Sequence, residues 1–142
     1  MTVQAILGNK GFEVISIEAD AKMSDAIRLL SERHIGAVLV MDGARLAGIL
    51  SERDYARKIV LRDRSSRDTP VAAIMTAEVV TVTPADTVED CLQLVTDRRI
   101  RHLPVVEGAA VLGVISIGDL VKSVIEQQRR ELGQLQQYIV GG

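Results

Sequence analysis

The chain has no tryptophan, one cysteine and three prolines, and its only aromatic side chains are Phe12, Tyr55 and Tyr138. So few aromatics cannot build a stacking platform for single-stranded nucleic acid. The formal net charge is −2, which supplies no basic footprint for nucleic acid or for an anionic membrane. A lone cysteine, Cys91, excludes an intramolecular disulfide and fits a reducing compartment. His34 and His102 are the only histidines, and no Cys/His spacing fits a zinc site, so no metal is expected. Nothing pairs a general acid with a base, and Cys91 has no base partner, so no catalytic residue is assigned. The longest apolar stretch, residues 35–50, is broken by Asp42 and Arg45 and cannot span a bilayer. Residues 1–14 lack the basic and apolar regions of a signal peptide. The expectation is a cytoplasmic protein without catalysis, nucleic-acid binding or membrane insertion.

What the chain does have is apolar content and repetition. Its 142 residues are 47% hydrophobic and 25% charged, enough for one compact domain or two small ones sharing a core. Laying residues 14–58 over 79–123, a constant shift of 65, gives 11 identities in 45 gapless positions. Among them are Asp25/Asp90, Arg33/Arg98, Gly43/Gly108, Gly48/Gly113, Ser51/Ser116 and Asp54/Asp119. Chance would give roughly three at ordinary residue frequencies. The chain is an internal duplication.

Each copy reads as strand–helix–strand–strand–helix. Short β-branched runs at 13–17 and 79–82 predict the first strand. Met23, Ala26, Ile27 and Leu30 recur at helical spacing, as do Val88, Cys91, Leu92 and Val95. Asp42-Gly43 and Glu107-Gly108 divide apolar runs at 37–41 and 46–50, and at 103–106 and 111–115, which predicts a hairpin in each copy. The polar, turn-rich stretch 61–70 reads as linker. Around it the reading divides the chain into a first repeat with its lead-in at 1–62, linker 63–74, second repeat 75–125 and helical extension 126–142. One repeat of about 50 residues is marginal alone. The expected fold is therefore α/β (α+β): two β-α-β-β-α repeats about a pseudo-two-fold axis, with an extended C-terminal helix. Equivalent clefts are expected between the repeats.

The same hinge links the last strand to the last helix of each copy, Gly48-Ile49-Leu50-Ser51-Glu52-Arg53-Asp54 and Gly113-Val114-Ile115-Ser116-Ile117-Gly118-Asp119. Glycine admits a ligand close to the backbone, and the free N–H groups of a helix start attract phosphate. An ionised Asp can accept both hydrogens of a ribose diol. Ser-x-x-Asp is equally a capping box that needs no ligand, as Thr87-Val88-Glu89-Asp90 is read. A second motif, Arg98-Arg99-Ile100-Arg101-His102-Leu103-Pro104-Val105-Val106, gathers three arginines and a histidine within five residues. It fits phosphate binding, and it also fits ordinary basic residues at a helix C-terminus.

These motifs, in order and doubled, resemble the CBS-domain family, tandem modules named after cystathionine β-synthase. The likeness covers residues 13 to about 125 and rests on 80–88, 99–107 and both Gly-x-x-Ser-x-x-Asp hinges. It implies a regulatory sensor that binds an adenine nucleotide (AMP, ADP, ATP or NAD) and signals by conformational change to an unidentified partner protein. It implies a principal cleft of Ser51, Arg53, Asp54, Val80, Ile100, Arg101, His102 and Leu103. It implies a second cleft of Ile15, Ile35, Gly36, Ala37, Ser116 and Asp119. The first copy lacks the basic pair and the proline at 35–39, and Gly118 stands where the other hinge has Arg53, so the clefts are expected to differ. The alternative is a purely structural dimerisation module with vestigial clefts. Val121, Ile125, Gln128, Leu132, Leu135 and Ile139, spaced 4-3-4-3-4, form a heptad-like seam expected to meet a partner subunit in a homodimer.

Overall fold

The computed structural model describes the backbone of residues 1–141 and the side chains of 1–139. In chain order the elements are α1 (Val3–Lys10), β1 (Ser16–Glu18), α2 (Met23–Arg33), β2 (Ala37–Asp42), β3 (Arg45–Ser51) and α3 (Glu52–Tyr55), then α4 (Val88–Arg98), β4 (His102–Glu107), β5 (Ala110–Ser116) and α5 (Ile117–Gly141). A π turn, Ala56–Val60, follows α3, and a 3-10 turn, Val71–Ala73, precedes α4. Two compact units result. The first is residues 13–80; the second joins residues 1–12 to the chain from Thr81 onward.

The duplication is visible element by element. β2 and β4 share one burial pattern, and β3 and β5 share another. Both hairpins shift register at the same place, Val40/Met41 and Val105/Val106. Helix α2 buries Met23, Ala26 and Leu30, and α4 buries Val88, Cys91 and Val95, the faces their spacing predicts. Both helices end on a left-handed residue, His34 at φ 53° and Arg99 at φ 54°, whose N–H returns to carbonyls of the last turn.

The first strands are not equal. In the first unit β1 pairs parallel with β2, giving the order β1-β2-β3. In the second unit the strand expected at 79–82 reduces to a single parallel bridge, Val82 to Val105. Prolines explain the difference. Leu39 N donates to Ile15 O and Ala19 N to Met41 O in the first unit. The equivalent positions are Pro104 and Pro84, which have no N–H to give.

The lead-in, grouped by sequence with the first repeat, belongs to the second unit, and residues 69–75 do for the first unit what residues 1–7 do for the second. Met23 N donates to Thr69 O, and Val88 N to Met1 O. Val71 N donates to Ala21 O and Ala72 N to Ala19 O; Val3 N donates to Asp86 O and Gln4 N to Pro84 O. The isolated bridges Lys22–Pro70 and Thr2–Thr87 match likewise. The side chains follow: Val3, Ile6 and Leu7 are buried where Val71 and Ile74 are buried. An eight-residue helix does not persist alone. Burying three such side chains, worth about 1.5–3 kcal/mol each, holds it in place.

Helix α5 is continuous from the hinge through Gly133 and runs on past residue 125. Leu120 and Ser123 are buried on one side of it. Val121, Ile125, Leu132, Leu135 and Ile139 of the seam are exposed, between 43% and 70%. No helix among the described residues is long and apolar enough to cross a membrane.

Candidate functional site

Each hinge places a serine at the last residue of a strand and an aspartate in the first turn of the next helix. In the first unit Ser51 is the N-cap of α3, with extended backbone at φ −117° and ψ 164°. Its Oγ accepts from Asp54 N at 3.2 Å, and Asp54 Oδ2 accepts from Ser51 N at 2.9 Å and Ser51 Oγ at 3.1 Å. That is a complete capping box. Asp54 Oδ1 lies 3.3 Å from Lys58 Nζ and accepts from Thr76 Oγ1 at 3.4 Å. Glu52 N donates to Gly36 O at 3.0 Å, which ties the residue-36 turn to the hinge.

The second unit repeats the frame. Ser116 N donates to Asp119 Oδ2 at 2.8 Å, Asp119 N donates to Ser116 Oγ at 3.1 Å, and Ile117 N donates to Arg101 O at 2.9 Å. The capping alternative is therefore realised in both copies. Two helix-start donors per hinge are bound within the protein rather than left for phosphate. Thr87, read as a plain cap, also accepts from Asp90 N.

The two carboxylates differ in what else touches them. Lys10, at the end of α1, donates from Nζ to Asp119 Oδ2 at 2.6 Å and to Val114 O at 2.6 Å. Burial pushes the Asp119 carboxyl up. The Lys10 ammonium and the Ser116 N–H and hydroxyl outweigh it and hold the carboxyl below its ordinary value. A folded-state value below the unfolded one of about 3.9 means that these contacts stabilise the fold above that pH. Their contribution is lost as pH falls through the lowered value. Lys10→Met removes the contact that lowers the carboxyl and leaves the burial. The Asp119 titration midpoint, followed by carbon-13 NMR of the carboxyl, is therefore expected to move to higher pH in the variant; an unmoved midpoint would refute the pairing.

The remaining expected site residues fall as follows. Val80 is half-buried at the end of the first unit, and Arg53 is exposed beside Asp54. Ile15, Ile35, Gly36 and Ala37 are half-buried in that same unit. Ile100 and His102 are half-buried and Arg101 is exposed in the second unit, where Leu103 is fully buried core. Leu103 can therefore offer a ligand its main chain only. Cys91 is buried, and burial with nearby Asp86 and Asp90 pushes its thiol up to about 11. It stays protonated at neutral pH, as a core residue should.

Sequence reading passed over Lys58, Thr76 and Lys10. Lys58 stands four residues from Asp54, a spacing that signals a helical ion pair. Thr76 and Lys10 reach their carboxylates across 22 and 109 residues of chain, where no local spacing could reveal them.

The model of the family described as CBS domain matches residues 10–61 and 71–126. The CBS domain-containing protein CBSX3, mitochondrial, of Arabidopsis thaliana is 44% identical over 128 residues, 87% of this chain. This chain spans 62% of that relative's length. A candidate signal-transduction protein with CBS domains from Burkholderia ambifaria MC40-6 superposes with TM-score 0.87 at 49% identity, over 90% of this chain and 96% of that one. The CBS domain pair of protein MJ0100, solved with 5'-methylthioadenosine and S-adenosyl-L-methionine, gives TM-score 0.78 over 89% of this chain and 98% of its own. At 20% identity that last likeness speaks to fold alone.

Proposed function

Because the chain belongs to the CBS-domain family, as a tandem pair of its repeats, we propose that it is a regulatory module that binds an adenine nucleotide without changing it. The duplicated hinge carries the proposal. Each copy holds an ionisable carboxylate at a fixed distance from a strand end and a glycine, the groups suited to a ribose diol and a closely approaching ligand. The principal site is assigned to Ser51, Arg53, Asp54 and Val80 with Ile100, Arg101, His102 and Leu103. The second is assigned to Ser116 and Asp119 with Ile15, Ile35, Gly36 and Ala37. The adenosyl ligands named for MJ0100 suit the same chemistry and join AMP, ADP, ATP and NAD as candidates.

Binding shifts an equilibrium of conformations by its differential affinity, and a partner protein reads the outcome. The exposed seam of α5 is the surface assigned to a second copy in a homodimer. No reaction is assigned to the protein. Its compartment is taken as a reducing one, the cytoplasm; the Arabidopsis relative carries "mitochondrial" in its name.

A second reading keeps the dimer and drops the ligand. It is favoured by the complete capping boxes, which satisfy both aspartates without a nucleotide. Thermal melting of nucleotide-stripped protein with AMP, ADP, ATP, NAD, S-adenosylmethionine and GTP separates the two. At about 100 times its dissociation constant a ligand adds roughly 2.7 kcal/mol. The expected result is a rise with an adenine compound that disappears in Asp54→Ala. The ligand-induced rise is compared within each variant, since losing the cap alone costs about 0.5–2 kcal/mol. No rise with any compound leaves the structural module.

A further inference from the structure

The carboxylates of the two hinges are equivalent in sequence and in their serine contacts, and unequal in their remaining partners: Asp54 has the Lys58 ammonium at 3.3 Å, from its own helix, besides the contact from its lead-in. At Asp54 the partner from the lead-in segment is the neutral hydroxyl of Thr76, at 3.4 Å. At Asp119 it is the ammonium of Lys10, at 2.6 Å. The segments that deliver them are counterparts, since residues 69–75 and 1–7 make the same backbone bonds to the two units. They part company after that match. The segment in the first unit forms one short turn, Val71–Ala73, and is back in extended pairing with β3 at Thr76. The segment in the second unit continues as α1 to Lys10, and the added turn carries the ammonium to the carboxylate.

We propose that Lys10 is the specificity-determining residue of the pair: it occupies Asp119 and so leaves Asp54 as the single ribose-accepting carboxylate of the chain. The inference rests on the proposed role of these aspartates in nucleotide binding. A ribose diol brings two neutral hydroxyls to the carboxylate. At Asp54 it displaces a long hydroxyl contact and a lysine at 3.3 Å whose amine also donates to Ile74 O at 2.9 Å. At Asp119 it must displace a short charge-assisted bond from an amine that is also anchored on Val114 O. Neutral hydroxyls do not repay that exchange. Lys10 is a feature of this chain's lead-in and lies outside both hinge motifs.

The test is isothermal titration calorimetry of the full chain with AMP, ATP and NAD in separate runs. The proteins are wild type, Lys10→Met, Asp54→Ala, Lys10→Met/Asp54→Ala and Lys10→Met/Asp119→Ala. Methionine keeps the length and packing of the lysine stem and removes its charge. Wild type is expected to take one nucleotide per chain, Lys10→Met two, and Asp54→Ala none. Lys10→Met/Asp54→Ala and Lys10→Met/Asp119→Ala are each expected to take one. An unchanged stoichiometry in Lys10→Met overturns the role of Lys10 and leaves nucleotide binding standing. Two nucleotides on wild type, or weaker binding after Lys10→Met, overturns it too, the latter by making Lys10 a ligand contact. Absence of binding in all five proteins overturns both the role of Lys10 and the nucleotide reading beneath it.

Discussion

Leu7→Ala is expected to destabilise the protein by about 3 kcal/mol, within the ~2–5 kcal/mol of buried leucine truncations. Leu7 is fully buried, and it packs against the backbone of β5 where Gly113 has no side chain. A Cβ built on Gly113 would lie 2.9 Å from Leu7 Cδ2, so the two surfaces are already in contact. Truncation opens a cavity that rigid strand backbone cannot close on one side. For a chain of this length the loss lowers the melting temperature by roughly 10 °C. Gln4, on the exposed side of the same helix, is the control: Gln4→Ala is expected to melt with wild type. Leu7→Met, which conserves volume, is expected to cost less than about 1.5 kcal/mol. If Leu7→Ala melts no lower than Gln4→Ala, α1 does not dock on the second unit.

Gly48→Ala is the second large effect, and its comparison with Gly113→Ala makes it diagnostic. Both glycines are buried in equivalent strand positions. A Cβ on Gly48 would meet Met75 Sδ at 2.6 Å and the backbone oxygen of Thr76 at 2.8 Å. The sulfur sits on a flexible side chain, but the oxygen belongs to a carbonyl that accepts from Ile49 N at 3.0 Å. Relief requires moving that pairing, so about 1–3 kcal/mol is expected, the cost of overpacking a filled site. On Gly113 the obstacle is the tip of one leucine side chain, which can turn. Replacing glycine there also removes unfolded-state freedom worth about 0.5–1 kcal/mol. Urea denaturation is expected to rank wild type and Gly113→Ala together and Gly48→Ala well below them. The reverse order would mean that the 75–76 segment yields and the docked helix does not.

Most of the fold was legible because the duplication compares the chain with itself. A constant shift of 65 marks the same boundaries for α2 and α4, β2 and β4, and β3 and β5. What it hid has physical reasons. The lead-in match, Val3-Gln4-Ala5-Ile6 to Val71-Ala72-Ala73-Ile74, runs at a shift of 68, because α1 and its connection to the first strand are longer. A search at one fixed shift slides past it. The β-branched composition that predicts a strand at 79–82 is visible in a window, but the strand does not form in full, because the positions that would have to donate in its pairing are Pro84 and Pro104, which carry no N–H. At the site, the Ser/Asp pairs were legible as capping boxes because their partners are three residues away. The partner that makes the two sites unequal was not, because only folding brings residue 10 to residue 119.

The exchange of lead-ins also orders events during synthesis. The first unit is one uninterrupted stretch, 13–80, with its closing segment at its own end, so it can complete itself as it leaves the ribosome. The second unit takes its closing helix from the stretch that precedes the first unit in the chain. Val3, Ile6 and Leu7 have no apolar surface to cover until β5 has emerged, and β5 ends at Ser116. At about 5–20 residues per second, α1 waits on the order of ten seconds before it can dock. Helix α1 is thus translated ahead of the first unit and finds its seat only after that unit is complete.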